Sequence, residues 1–115
     1  MREAMIICPK ASNDGASLAL VQRKAIGAMV DAFGGCTVAD AFGHWRDDSG
    51  AVVSEPVWQL IAAADDTADN DAALREIARD IGSAGRQWCM YVRYPSGAVE
   101  FVDTAKLWQS AAAVA

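Results

Sequence analysis

Apolar and polar positions change their period several times along the chain, and each change marks an element. Residues 4–9, AMIICP, form a short, partly β-branched apolar run closed by Pro9, which predicts a strand buried on both faces. The following KASNDGAS is rich in turn formers and predicts a loop. From Ser17 the period becomes helical. Leu18, Val21, Ala25, Ala28, Met29, Ala32 and Phe33 share one face, widened by Ile26 and Val30, while Gln22, Arg23 and Lys24 fall mostly outside it. Ser17 offers a cap, and Gly34-Gly35 supplies the left-handed stop. Thr37 to Arg46 then alternates, with Val38, Phe42 and His44 on one side and Thr37, Ala39, Ala41 and Trp45 on the other. DDSG, residues 47–50, predicts a turn, and a strand resumes over 51–64, where Pro56 demands an edge position or a bulge.

Leu74, Ile77, Ala78 and Ile81 restore the helical spacing within residues 65–82, behind an acidic start and ahead of Gly82 and Gly85. QWCMYVRY predicts a fourth strand, PSG a turn and AVEFV a short fifth strand. The expected order is therefore the βαββαβ of a ferredoxin-like α+β domain, with an extra C-terminal hairpin strand. Residues 1–103 would form this single domain, and 104–115 a tail that is a short helix or a frayed end anchored by Leu107 and Trp108. Two helices on one face of an antiparallel sheet leave the other face bare. Trp45, Trp58, Trp88 or Tyr91 would be exposed there, which leads to an expected homodimer or higher oligomer through that face.

Composition narrows the partners. The 115 residues are 53% hydrophobic and 22% charged, a globular balance, and the net charge of −5 argues against a nucleic-acid polymer as partner. No signal peptide and no run of the roughly 20 apolar residues that span a bilayer is visible, so a cytoplasmic location without membrane is expected. Cys8, Cys36 and Cys89 are odd in number and far apart, which fits neither a disulfide framework nor close-spaced metal ligands, and no metal or cofactor is expected.

The richest stretch is GGCTVADAFGHWRDDSGAVVSEP, residues 34–56. Its spacing, Gly35-x-Thr37, Ala41-x-Gly43-x-Trp45, Gly50 and Glu55-Pro56, resembles an uncharacterised bacterial family of small ferredoxin-like domains. The resemblance is close over residues 34–61 and loose over the rest. It implies the fold and a shared role for Trp45 and Glu55, and it implies no activity. This chain differs in carrying His44 where glutamine is usual and in lacking an export signal. The layout is similar, more distantly, to PII-type and dimeric α/β-barrel proteins, whose ligands sit between subunits.

Thr37, His44, Trp45, Arg46, Glu55 and Trp58 are the candidate ligand-binding residues. His44 is the chain's only histidine and its one ready proton shuttle; as acid or base it would be oriented by Glu55, or it makes one ordinary sheet hydrogen bond. Glu55 either accepts bonds that fix the hairpin, from Arg46 for instance, or meets a ligand. The tryptophans either stack a planar ligand or fill an interface. Arg93 either pairs with Glu100 across the last hairpin or holds an anion. Asp47 and Asp48 read as a solvated tip. The expected function is non-catalytic binding, regulation or sequestration of a small planar or phosphorylated metabolite, nucleotides included. The alternatives are a small enzyme using His44 with Glu55, and a pure assembly module.

Overall fold

The computed structural model describes residues 1–114, and side chains through Gln109. Helix α1 (Ala19–Phe33) buries Ala25 and Met29 and ends on Gly34, whose φ of 85° is the left-handed stop that only glycine adopts without strain. Ser17 Oγ accepts from Ala19 N at 3.3 Å, although Leu18 occupies the cap position. Val30 and Ala32 face solvent, so the buried stripe is narrower than the sequence pattern. Helix α2 (Ala68–Ala84) starts at Thr67, whose hydroxyl accepts from Asn70 N, and buries Leu74, Ile77, Ala78 and Ile81 as expected. A third helix, α3 (Ala105–Val114), follows; Ala115 lies outside the described residues.

Strands β1 (Arg2–Pro9), β2 (Thr37–Arg46), β3 (Val52–Ala64), β4 (Cys89–Arg93) and β5 (Val99–Asp103) form one sheet in the order β2-β3-β1-β4-β5, every neighbour antiparallel. This is the ferredoxin-like α+β arrangement with one added strand. One face carries Ala4, Ile6, Cys8, Leu60, Ala62, Met90, Val92 and Val102, which join Ala25, Met29, Leu74, Ala78 and Ile81 in the core. The pleat turns Met5, Ile7, Val57, Tyr91 and Phe101 to the opposite, open face. Met5 and Ile7 are only half-buried there, so β1 is sealed on one face and not on both.

Two irregularities shape the open face. First, β1 pairs β3 only over residues 57–64, so residues 52–56 run on with β2 as a two-stranded ribbon. Pro56 stands at that exit, just past the last β1 pair; Lys10 N still donates to its carbonyl at 3.1 Å, but the Lys10 carbonyl is taken by Leu18 N, so nothing there calls for the N–H that proline lacks. Second, β1 pairs β4 only at Met5↔Arg93 and Ile6↔Val92, then parts from it towards Pro9. The sheet therefore divides into two arms beyond Ile7. No helix among the described residues is long and apolar enough to cross a membrane.

Candidate functional site

A cleft of about 500 Å³ lies where the arms separate. Ile7, Pro9 and Val57 line it from the middle of the sheet, Gly43, Trp45 and Glu55 from the ribbon, and Trp88, Cys89, Tyr91 and Phe101 from the β4–β5 arm, with His44, Asn13 and Gln87 also at its wall. Its character is apolar and aromatic with a single carboxylate. Tyr91 and Phe101 pack edge to face at 5.6 Å between ring centroids. Such rings present flat surfaces to a planar ligand and negative faces to a cation.

Glu55 is half-buried and opposite Gly43 in the β2–β3 register, so no cross-strand side chain covers it. Among the described residues no hydrogen bond or ion pair engages its carboxylate; Arg46 donates instead to Gly50 O at 2.7 Å. Burial pushes the Glu55 carboxyl above the ordinary carboxylate range. A desolvated acid without a partner is the arrangement in which a ligand cation gains most. Cys89 is a poor nucleophile beside it, because burial first and then Asp103 raise its thiol pKa.

The six candidates divide. Trp45 and Glu55 project onto the open face and meet at the cleft. His44 contributes to the wall, but the pleat sends its side chain the other way, where Nδ1 meets Ser54 Oγ at 2.7 Å. The pairing of His44 with Glu55 is therefore not formed, because adjacent register positions face opposite sides of the sheet. Arg46 closes the β2–β3 turn and lies outside the cleft. Thr37 begins β2, six residues from Gly43 and so about 20 Å along the strand. Trp58 is on the helix-bearing face, packed against the core with Lys10 Nζ 5.6 Å from its ring centroid. Arg93 faces Val99, and Glu100 is taken by Arg75 at 3.1 Å and by the Tyr94 hydroxyl. Asp47 builds the turn, its Oδ1 accepting from Ser49 N, Ser49 Oγ and Ala51 N. The far wall of Trp88, Tyr91 and Phe101 is not among the sequence candidates, although the sequence pattern exposes Trp88 and Tyr91; only the strand order brings them opposite Trp45.

No family model matches the chain, and no curated protein matches it. Among solved structures the chain is similar to a phage SAM lyase in complex with S-methyl-5′-thioadenosine, with a TM-score of 0.66, 13% identity and 88% of each chain covered. A phage SAM lyase in the apo state gives a TM-score of 0.64 at 13% identity, over 88% of this chain and 87% of that one. What is shared is the fold.

Proposed function

We propose that the open-face cleft binds an adenosine carrying sulfur at C5′, and that the protein is a small lyase acting on S-adenosylmethionine. The observation that carries this reading is the unpaired, half-buried Glu55 set among aromatic rings. An adenine stacks on Trp45 or on the Tyr91–Phe101 pair, and a sulfonium is drawn both to ring faces and to a carboxylate. The likeness in fold to a SAM lyase supports the same chemistry over passive sequestration. It keeps the small planar metabolite expected from the hairpin, replaces the expected non-catalytic role with a catalytic one, and moves the emphasis from His44 to Glu55.

Lysis of S-adenosylmethionine breaks the bond between sulfur and the aminobutyryl carbon, and the electron pair passes to sulfur. The neutral thioether S-methyl-5′-thioadenosine leaves, while the aminobutyryl fragment closes on its own carboxylate or loses a proton from the adjacent carbon. Glu55 orients the sulfonium in either course, and its raised basicity suits it to take the proton in the second. Incubating the purified protein with S-adenosylmethionine and following the products by mass spectrometry tests this directly. Accumulation of S-methyl-5′-thioadenosine in wild-type protein, lost in Glu55→Gln, is the expected result. Tight binding without product favours sequestration, and neither binding nor product overturns the reading.

A further inference from the structure

A second recess, of about 210 Å³, adjoins the cleft and shares Asn13 and Trp88 with it; Ser12, Asp14, Arg86 and Trp108 complete its lining. Two opposite charges face this space without joining. The ion pairs among the described residues are Met1–Asp65, Lys10–Asp40 and Arg75–Glu100, and Arg86 belongs to none of them. Its guanidinium makes no hydrogen bond among the described residues either. Asp14 Oδ1 is engaged by Ser12 Oγ and by Ala16 N, and its second oxygen is left open. These bonds, and in smaller measure the field of Arg86, hold the Asp14 carboxyl below its usual range, so it is an anion.

The backbone at Arg86 is also held in an unusual conformation. Among the described residues it is the one non-glycine residue with positive φ, 51°, in a position following a helix where glycine is the default. Its turn is held by Arg86 N to Ser83 O at 3.1 Å and Gln87 N to Gly82 O at 2.8 Å. The Gln87 carbonyl accepts from Thr104 Oγ1 at 2.6 Å and from Trp108 Nε1 at 2.8 Å. Strain of this kind persists where the surroundings over-determine it, and it collects at ligand sites. Glycine would satisfy the backbone; arginine adds a cation beside Trp88, whose ring stands 5.4 Å from that of Trp108.

We propose that this recess is the subsite for the α-amino-acid end of an S-adenosyl ligand, with Arg86 taking the carboxylate and Asp14 the ammonium. The proposal rests on the reading of the main cleft as an adenosine site, and it explains how one small fold would tell S-adenosylmethionine from its shorter thioether product. A guanidinium matches a carboxylate two bonds at a time, and the open Asp14 oxygen accepts from an ammonium.

Two uncleavable probes separate the subsite from the cleft. S-adenosylhomocysteine carries the amino-acid end and S-methyl-5′-thioadenosine lacks it. By isothermal titration, wild-type protein binds the first about tenfold or more tightly than the second. Arg86→Gly, which relieves the backbone, brings the first down towards the affinity of the second and leaves the second unchanged; Asp14→Asn acts in the same direction. Equal wild-type affinities, an unchanged preference in Arg86→Gly, or an equal loss for both probes overturns the subsite while the cleft stands. If neither probe binds wild-type protein, the cleft reading falls and the subsite with it.

Discussion

Gly43 opposite Glu55 is the smallest structural decision on the open face and the one that opens the cleft. A Cβ at Gly43 would stand 3.6 Å from Val57 Cγ1 and 3.9 Å from the Trp45 ring, an ordinary contact, so packing alone tolerates a side chain there. What that side chain would do is reach over Glu55. Gly43→Val therefore folds with little change in melting temperature and loses ligand affinity, which titration of S-methyl-5′-thioadenosine checks. Glu55 itself works against stability. Burial raises its pKa in the folded state, so folding favours the protonated form. Its favourable contribution is complete below the unfolded value near 4.3 and is lost as pH rises through the folded one. Glu55→Gln should accordingly raise the melting temperature at pH 7 and leave it unchanged below about pH 4, while binding of S-adenosylmethionine weakens about tenfold or more. A melting temperature that falls at pH 7 would show that the carboxylate has a structural partner in the folded state.

At the scale of elements, the α2–β4 connection governs the site from behind. Gly82 lies so close to its neighbours that a Cβ would fall 2.5 Å from Thr104 Cγ2 and 2.8 Å from Met90 Cγ. Thr104 is fully buried and holds the Gln87 carbonyl. Gly82→Ala should thus cost about 3 kcal/mol in chemical denaturation and displace the turn that carries Arg86 and Trp88. Thr67→Ala, which removes only the α2 cap, should cost about 1 kcal/mol and leave ligand binding intact. Local pattern made the elements legible: alternation delimits Thr37–Arg46 as a strand, and the stop at Gly34 follows from backbone sterics. The same alternation already separated His44 from Trp45, since a period of two puts neighbours on opposite faces. Trp58 lies on the helix-bearing face and not on the expected open one, because its face depends on how β3 registers against β1, with Trp58 opposite the buried Cys8. The far wall of the cleft required the strand order and the early parting of β1 from β4, neither of which a local pattern encodes.

For the whole molecule, the open face raises the question of what covers it. Phe101 is 67% exposed, Val99 49% and Trp45 44%, all on the face that no helix protects. Exposed aromatics in such a group are the usual mark of a contact surface, so the protein is expected to self-associate through it. Sedimentation velocity at rising concentration measures this, and the choice of variant decides what it means for the site. Phe101 lines the cleft, so Phe101→Asp would disturb assembly and ligand together. Val99 faces Arg93 on the same face but does not line the cleft. Val99→Asp places a charge in the expected interface, where desolvation makes it costly, and should shift the protein to monomer. If that monomer still binds S-methyl-5′-thioadenosine with wild-type affinity, one chain supplies the whole cleft. If dissociation abolishes binding, a second copy lies across the cleft and closes it, and the aromatics serve interface and ligand at once. A wild-type protein that remains monomeric at all concentrations would instead leave the open face to the ligand alone.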